Sequence, residues 1–524
     1  MSDKSHSILE TVCSYASRKP TRMHVPGHKG RKAVSPDCAS VAGSPQWAAG
    51  LLDELRAIDV TEAPGLDNLH YPVGCIKDAE ARAATLFGAA RTYFLVNGAT
   101  SGIQASLLAV RMSAGAGSVV LPRNVHRSTV SAMAMSGLEP VFVWPQYEPC
   151  LGGYLPLDAD RLNETLNGIA ARGSAGRAKA VLVINPTYCG FARDLSELAD
   201  LSHARGMVLV VDEAHGTHFG VGKGLPPAAL SSGADLVTHG AHKTTVAFTQ
   251  TGFLHVGPSS PAHFPGLVSA VEEALRAVQS TSPSYILMAS IEQAIHVLGN
   301  DGGRWVNQGV ETAMELAQRL SKIPGLAVAG YHPAAGLPPG LLHDPGRVLV
   351  NLGGLGLTGP EAVAYLVQKW RVIPEMTGPE HVLLVVTGAD GGPAIEAVEA
   401  AFRDLAEHFS ISRQGTESSE PGSRQSSNAS SLLREAPRPV RSMSLREAFL
   451  SRSRPLATDD ARGKVSADTI VIYPPGSAVL TPGERIDRDV VEYILHAKRA
   501  GLNVLGRGIR AGEGEMKVFC VESS

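Results

Sequence analysis

The sequence predicts an α/β protein whose core is a mostly parallel β-sheet buried on both faces. From about residue 78 to residue 300, short apolar runs rich in Val and Leu alternate with longer stretches of helical character. Each run is continuous and is bounded by Gly, Pro, Asn or Asp, which is typical of strands covered on both sides. The helices between them are therefore interpreted as βαβ crossovers. The predicted strands are Arg91–Val96, Ser118–Leu121, Val141–Val143, Ala180–Ile184, Val208–Val211 and Asp235–Thr238.

The remaining sequence predicts a smaller α+β domain, a linker and a C-terminal α+β module. The predicted units are an N-terminal arm (1–60), a large domain (61–310), a small domain (311–409), a linker (410–440) and a C-terminal module (441–524). In the small domain, predicted strands at Arg347–Leu352 and His381–Val386 flank a helix at Pro360–Trp370. Residues 410–431 contain nine serines and almost nothing apolar, which predicts a disordered linker.

Composition excludes several classes of protein. The 524 residues include 47 Lys and Arg and 50 Asp and Glu, a net charge of −3, so there is no basic excess of the kind that a nucleic-acid binder shows. No apolar run approaches the roughly 18 residues that span a bilayer, and the N-terminus lacks an apolar signal core. The six cysteines are scattered without a CxxC pair. We expect a reduced, cytoplasmic protein without a disulfide framework or a metal site.

The first segment with chemical potential follows the strand Arg91–Val96. Asn97–Gly102 is a turn of small residues that opens an apolar helix at Ile103–Val110. Ligands of open α/β sheets bind beyond the carboxyl ends of the strands, and free N–H groups at a helix N-terminus suit a phosphate. The alternative is an ordinary strand–helix turn in which Thr100 or Ser101 caps the helix.

Two further strands end in an acid and in a lysine. Asp212 ends the run Val208–Val211, and burying such a carboxylate requires a cationic partner, for which a protonated ring nitrogen would serve. The letters Asp-Glu-Ala-His also spell a helicase motif, but no phosphate loop of the form GxxxxGK[ST] precedes them. Lys243 lies in a loop of small residues after Asp235–Thr238, where desolvation would make its amine a nucleophile. The alternative for Lys243 is a surface position.

His126, in the loop after Ser118–Leu121, completes a set of four. Its ring could stack on a planar ligand, although by itself it is more simply a polar loop residue. A phosphate cradle, a stacking ring, a buried acid and a strand-end lysine, in this chain order, are together the parts of a pyridoxal-phosphate site. The lysine holds the cofactor's aldehyde, and the acid keeps the pyridine nitrogen protonated so that the ring accepts electrons from Cα.

One apparent nucleotide motif is interpreted as structural. Residues 354–359 read GxGxxG after a predicted strand, but no acid ends the next strand to bind a ribose. Thr358 and Glu361, with Pro360 between them, are the pattern of a capping box that opens a helix.

Several longer segments show that the chain resembles the Orn/Lys/Arg decarboxylases of the pyridoxal-phosphate fold type I (aspartate aminotransferase-like) superfamily, in their short form. The resemblance covers nearly the whole chain apart from the serine-rich linker. It is carried by Arg22–Gly30, Asp59–Glu62, Gly65–His70, Val96–Gly102, Pro122–His126, Asn185–Tyr188, Asp212–Gly216, His242–Thr244, Thr249–Gln250, Thr281–Tyr285, Tyr473–Gly476 and Pro482–Glu484. It implies a seven-stranded sheet in the large domain.

The resemblance implies a pyridoxal-phosphate cofactor, a homodimer with active sites at the interface, and decarboxylation of arginine, lysine or ornithine in polyamine metabolism. Lys243 would form the Schiff base, Asp212 would pair with the ring nitrogen, and His126 would stack on the ring. The further cofactor residues would be Ala99, Thr100, Ser101, Thr187, Ala214, His215 and His242, with Thr281 and Ser282 reaching the partner's cofactor. The candidates for binding the substrate are Glu375, Asp67 and His28.

Three departures from the family pattern put cofactor affinity and substrate choice in question. Gly240 stands where the family often has Ser, and Ala99 replaces a common Ser, so two phosphate-binding hydroxyls are lost. At about 1 kcal/mol per hydrogen bond, the combined loss would be about tenfold or more in affinity. Ser477-Ala478 replaces a usual Ile-Pro near the entrance.

Two other functions stay open on this evidence. Another reaction of the same fold, a transamination or an aldol-type cleavage, is possible because fold alone does not determine chemistry. A catalytically idle paralogue that binds a partner is the second alternative, and the intact set of Lys243, Asp212 and His126 argues against it. The sequence does not decide among arginine, lysine and ornithine.

Overall fold

The computed structural model describes most of the chain. The described residues are 7–23, 25–26, 28–29, 46–149, 151–171, 178–300, 303–331, 336–414, 436–473, 476–499, 502–509 and 516–522. In the described ranges, no helix is both long enough and apolar enough to cross a membrane.

A seven-stranded sheet forms the centre of the large domain. Its strands are β1 (Arg91–Leu95), β2 (Ser118–Pro122), β3 (Glu139–Val143), β4 (Ala178–Ile184), β5 (Val208–Asp212), β6 (Leu236–His239) and β7 (Gly252–Val256). Their order across the sheet is β1-β7-β6-β5-β4-β2-β3. Strands β6, β5, β4, β2 and β3 are parallel neighbours, whereas β7 runs antiparallel to both β1 and β6. The predicted mostly parallel sheet of seven strands is confirmed.

All six predicted strands are present, with ends shifted by one or two residues. The sequence analysis did not predict β7, which lies between β1 and β6 and pairs with both. This strand contains three apolar side chains, interrupted by His255, which is fully buried and hydrogen-bonded to Thr92 and His239. The histidine interrupts the apolar run from which a strand would be predicted. The hydrogen-bond partners that allow its burial are distant in sequence.

Helices cover both faces of this sheet, because successive apolar residues of each strand point to opposite sides. Leu182 and Val210 belong to the core on one face, and Val183 and Val211 to the core on the other. The large-domain helices, with the preceding arm, are Ile8–Ser17, Gln46–Ile58, Cys75–Phe87, Gly98–Ala114, Arg127–Ser136, Ala159–Ala171, Ser196–His203, Ala241–Thr244, Ser260–His263, Leu267–Val278 and Tyr285–Gly299. There are also two short antiparallel strand pairs. One pairs Tyr147–Glu148 with Gly153–Tyr154, and the other pairs Phe191–Ala192 with Leu342–His343.

The small domain is an antiparallel sheet backed by helices. Its strands follow the order Ala327–Val328, Arg347–Asn351, His381–Val385 and Met376–Thr377. Its helices are Arg304–Leu320, Gly359–Tyr365 and Gly392–Gln414, with a 3₁₀ turn at Gly353–Leu355 and a π-helical turn at Leu366–Trp370. Thr358 and Glu361 form the reciprocal hydrogen bonds of a capping box, so the structural interpretation of the GxGxxG letters is confirmed.

The C-terminal module contains a helix at Arg488–Arg499 and two small sheets. One pairs Ser453–Ala457 with Lys517–Val521, and the other orders Ser477–Leu480, Ile470–Tyr473 and Asn503–Leu505. A short helix, Leu445–Leu450, packs on the large domain near Arg127–Ser136. Helix Gly392–Gln414 extends beyond residue 410, and Ala436 packs against the core of the module. The predicted domain bounds, with a linker at 410–440, stay predictions. Residues 415–435 lie outside the described residues.

Candidate active site

The carboxyl ends of the parallel strands open into one cavity of about 430 Å³. Nine residues that the sequence analysis assigned to the cofactor line it together: Ala99, Thr100, His126, Thr187, Asp212, Ala214, His215, His242 and Lys243. The same cavity is lined by residues that the assignment left out, namely Asn124, Ser128, Tyr154, Tyr188, Cys189, Tyr473 and Gly476 among others. The volume lies within the usual range for small-molecule sites.

One end of the cavity is the N-terminus of helix Gly98–Ala114. No side chain at Asn97 caps the helix, and the Gly98 N–H donates to the Gln250 carbonyl at 2.9 Å. The next N–H groups, those of Ala99 and Thr100 at the cavity wall, suit an anion. Gly98 has φ of +69°, and at Gly102 a Cβ would lie 2.6 Å from a Thr238 methyl, so the helix packs closely on β6. Of the three residues predicted for this helix N-terminus, Ser101 does not line the cavity, because its buried hydroxyl donates to the Gly98 carbonyl.

His126 is held by the start of the next helix. It is the N-cap residue of Arg127–Ser136, and its Nδ1 accepts from the Ser128 backbone N–H at 3.3 Å, with the Ser128 hydroxyl at 2.8 Å. An accepting Nδ1 places the ring proton on Nε2. Burial lowers the pKa of His126, so the ring is neutral near pH 7. The cap thus sets both the ring's orientation and its tautomer.

Lys243 belongs to a hydrogen-bonded chain that the sequence did not indicate. Its Nζ lies 2.8 Å from His215 Nε2, and His215 Nδ1 lies 2.9 Å from a guanidinium nitrogen of Arg347. A guanidinium can only donate, so His215 Nδ1 must accept and the proton of the neutral ring is on Nε2. Nε2–H therefore points at the lone pair of a neutral Lys243 amine.

The electrostatics agree with this proton arrangement. Burial lowers the pKa of Lys243, and the nearby guanidinium of Arg347 lowers it further, against the opposing effect of Asp212. Burial also holds the pKa of His215 well below its usual range, with Arg347 and Lys243 adding to the effect. A neutral amine at Lys243 is the form that attacks an aldehyde.

Arg347 comes from the small domain and was missed because a lone arginine in a predicted strand carries no motif. It is almost fully buried and lies 3.8 Å from Asp344. Gly190 makes room for it, since a Cβ there would lie 2.5 Å from the Arg347 Cβ, and Gly190 has φ of +90°. The small domain therefore contributes, through His215, to the hydrogen bonding of Lys243.

The remaining predicted cofactor residues are oriented by backbone groups. Asp212 ends β5, is 8 % exposed, and accepts from the Ala214 N–H at 3.2 Å. The Nδ1 of His242 lies 2.8 Å from the Thr251 carbonyl, so this nitrogen carries the proton and donates. The Thr187 hydroxyl oxygen accepts from the Phe191 N–H at 3.2 Å. These bonds fix the side chains before any ligand is present.

Of the predicted substrate residues, Glu375 is the one linked to the cavity. It accepts a short hydrogen bond from the hydroxyl of Tyr188, which lines the cavity. Tyr188 also packs against the His215 ring, with centroids 4.7 Å apart. Tyr473, from the C-terminal module, lines the same cavity. Tyr188 and Tyr473 stood inside the motifs that carry the family resemblance, and that signal could have identified them.

The Asp67 carboxylate has backbone hydrogen-bond partners that the sequence did not indicate. Its carboxylate is 7 % exposed and accepts four backbone N–H bonds at 2.9 Å, from Asn68, Val73, Gly74 and Ile76. An acid with this many backbone donors holds its own loop and the start of helix Cys75–Phe87. It does not line the cavity of this chain, and its expected role in substrate binding stays a prediction.

His28, Thr281 and Ser282 also lie outside the cavity of this chain. His28 Nε2 lies 3.1 Å from an Asp59 carboxylate oxygen, and the pair is partly exposed. Thr281 and Ser282 are exposed. The expected approach of Thr281 and Ser282 to a partner's cofactor stays a prediction, as does the expected role of His28 in substrate binding.

Known proteins resemble this chain along its whole length. The sequence model of the Orn/Lys/Arg decarboxylase major domain matches residues 7–332, and that of the C-terminal domain matches residues 431–506. Arginine decarboxylase of Bacillus anthracis is 32% identical over 503 residues, which is 95% of this chain and 94% of that protein. Arginine decarboxylase of Bacillus subtilis is 30% identical and covers 97% and 96%.

Solved structures agree on the fold. Lysine decarboxylase of Francisella novicida superposes with a TM-score of 0.78 at 17% identity, over 99% of this chain and 82% of that one. Constitutive lysine decarboxylase of Escherichia coli gives 0.78 at 19% identity, over 98% and 82%. At these identities the likeness concerns the fold, which is that of the pyridoxal-phosphate fold type I enzymes.

Proposed function

This chain belongs to the Orn/Lys/Arg decarboxylase family, and from that premise we propose that it removes the α-carboxylate of arginine to give CO₂ and the corresponding amine. It is a pyridoxal-phosphate-dependent decarboxylase of a basic amino acid. The two alternatives, another reaction of the fold and an idle paralogue, are therefore set aside. The observation that carries the proposal is the convergence of nine assigned side chains on one cavity.

The cavity fits pyridoxal phosphate. The helix N-terminus at Ala99 and Thr100 provides N–H donors for the phosphate, and Asp212 is the buried acid that would face the ring nitrogen. The side-chain oxygen of Asn124 is buried at the cavity and has no hydrogen-bond partner among the described residues, which indicates a polar ligand there. When bound, the cofactor supplies an electron sink for the electron pair that remains on Cα after CO₂ leaves.

The chain's own groups set the protonation states that this chemistry needs. Lys243 would hold the cofactor through Nζ, and burial, with Arg347 nearby, lowers the pKa of that nitrogen, which lies 2.8 Å from His215 Nε2. Asp212 would keep the ring nitrogen protonated. The Nε2–H of His126 and Nζ of Lys243 are the two candidates for delivering the proton that Cα receives.

Arginine is favoured over lysine and ornithine by two lines of support. Relatives at 30% identity or more over nearly the full length are named arginine decarboxylases, whereas the lysine decarboxylases are 26% identical or less. A guanidinium is planar and binds a carboxylate through two parallel hydrogen bonds. Glu375, held in place by Tyr188, provides a carboxylate beside the cavity.

We also propose a homodimer, a cytoplasmic location and a place in polyamine metabolism. These rest on the family resemblance, and the exposed Thr281–Ser282 segment is the part of the chain that would approach a partner's cavity.

The experiment that tests the proposal offers arginine, lysine and ornithine separately to the protein loaded with pyridoxal phosphate. CO₂ and the amine product are measured, with Lys243→Ala as the inactive control. We expect product from arginine, at least tenfold above lysine and ornithine in kcat/KM, and none from the control. Equal or greater turnover of lysine or ornithine would contradict the arginine assignment.

A further inference from the structure

Away from the cavity, three potential metal ligands meet at the opposite edge of the sheet. His203 ends the helix Ser196–His203, Asp235 directly precedes β6, and His263 ends the short helix Ser260–His263. One ligand atom from each lies within 4.8 Å of those of the other two. No spacing motif indicates this cluster, because the three residues are far apart in sequence, and the sequence predicts no metal site. From this cluster we propose a site for a divalent transition metal of the Zn²⁺ type.

The carboxylate at the centre of the cluster is buried and fixed. Asp235 is 1 % exposed; one of its oxygens accepts from the Leu209 N–H at 2.8 Å and the other from the Ser260 hydroxyl at 2.7 Å. A buried carboxylate is costly unless a cation or several donors compensate it. Its rigid placement means that a metal would meet a ligand already oriented.

The two imidazoles approach Asp235 from the solvent side. His203 Nε2 lies 2.9 Å from the Asp235 carboxylate, and its side chain is 22 % exposed. The His203 and His263 rings lie 4.8 Å apart between centroids at an angle of 62°, and His263 is exposed. A metal ion can therefore enter from solvent, and water can complete its coordination.

The donor set selects the class of metal. Two imidazole nitrogens and one carboxylate oxygen suit Zn²⁺ and neighbouring late transition metals, whereas Ca²⁺ and Mg²⁺ prefer all-oxygen sites. Zn²⁺ would replace the proton that His203 now shares with Asp235. The site joins two helices to the sheet, so its effect would be structural.

The site is separate from the decarboxylation chemistry. Asp235 pairs with Leu209 near the amino end of β5, whereas Asp212 is at the carboxyl end of that strand. Three residues of extended chain correspond to about 10 Å. A metal at the cluster cannot contact the reacting atoms, so metal binding and decarboxylation are measured independently.

The test is equilibrium dialysis of the holoenzyme against buffered Zn²⁺, with metal analysis of the protein. We expect one Zn²⁺ per chain at this site. Since even outer partners of metal ligands are worth 10–100-fold in affinity, we expect His203→Ala and His263→Ala each to weaken binding by about 100-fold or more. His496→Ala, which removes an exposed histidine of the C-terminal module, is the matched control and should leave the affinity unchanged.

A second probe identifies the ligands themselves. Cu²⁺ added to the holoenzyme should show electron paramagnetic resonance hyperfine structure from two imidazole nitrogens, reduced to one in His263→Ala. Because His263 is exposed, this variant should fold and retain decarboxylase activity within about twofold. Zn²⁺ affinity that is unchanged in both His203→Ala and His263→Ala, or no stoichiometric binding by the wild type, would overturn the proposal.

Discussion

A buried ion pair fastens the C-terminal module to the large domain, and its removal is the most informative perturbation of the fold. Arg123 follows β2, and its guanidinium bonds both carboxylate oxygens of Glu484 at 2.6 and 2.7 Å. It also donates to the carbonyls of Ala478 and Val479 at 2.6 and 2.9 Å. The Arg123 and Glu484 side chains are 2 % and 3 % exposed.

The free-energy cost of removing one partner follows from the burial of this ion pair. Removing one partner of a buried pair leaves the other charge uncompensated, which costs about 3–5 kcal/mol. We therefore expect Glu484→Met to destabilise the docked module by about that amount, roughly a 10²–10⁴-fold shift in its docking equilibrium. The aromatic rings of Phe142 and Trp144, 4.3 and 5.2 Å from the guanidinium carbon, do not neutralise the remaining charge.

The double variant Arg123→Met/Glu484→Met separates the charge from the packing. It removes both charges of the pair, and Arg441, 3.7 Å from Glu484, keeps its hydrogen bonds to the Pro482 carbonyl and the Thr481 hydroxyl. We therefore expect the double variant to be clearly more stable than the sum of the two single changes. Urea unfolding followed by tryptophan fluorescence and limited proteolysis of the module both measure this. Because Tyr473 and Gly476 line the cavity, the single variant should also raise KM for the substrate.

An exposed pair of the same module provides the control. Arg485 and Asp487 form a surface ion pair, and such pairs contribute little to stability. Asp487→Asn should unfold like the wild type. If Glu484→Met unfolded like Asp487→Asn, or if the two changes at Arg123 and Glu484 were additive, the proposed role of the ion pair would be refuted.

Three further predictions concern the cavity. A Cβ at Gly240 would lie 2.8 Å from a backbone oxygen, so we expect Gly240→Ser to weaken pyridoxal-phosphate binding. Ala99→Ser should tighten that binding by up to about tenfold. Equilibrium dialysis of the cofactor compares the two variants, and tighter binding by Gly240→Ser would contradict the geometry. Because the pKa of Lys243 is lowered, its amine is unprotonated at lower pH, and the apoprotein should bind the cofactor covalently below the pH range of an exposed lysine. Arg347→Met should move the pH profile of cofactor binding to higher pH. An unmoved profile in a spectrophotometric titration would refute the effect of Arg347 on Lys243. Glu375→Gln should raise KM for arginine at least tenfold with a smaller change in kcat, and an unchanged KM would exclude Glu375 from substrate binding.

The parts of the fold that depend on local patterns were predictable. Six strands of the large sheet, the two longer strands of the small domain and the capping box at Thr358 were predicted, because each depends on neighbouring residues alone. Nine predicted cofactor residues line one cavity because the carboxyl ends of parallel strands meet at one edge of a sheet. The positions after strand ends indicated some of them, and the family resemblance indicated the rest.

Residues that act through distant partners were not predictable. Arg347 of the small domain bonds to His215 of the large domain, and Asp67 binds the backbone of its own loop. Side-chain type alone does not distinguish a buried acid that caps a helix from one that binds a ligand. The difference depends on which donors surround the carboxylate.

The sequence by itself determined the class of fold, the family and the set of reactive side chains, because periodicity and motifs are local properties. Only the tertiary structure decided the proton state of the lysine, the fit of Gly240 and the meeting of His203 with His263 and Asp235. Hydrogen bonds and burial act over a few ångströms in space. Residues that are close in space but distant along the chain leave no local pattern from which those distances could be read.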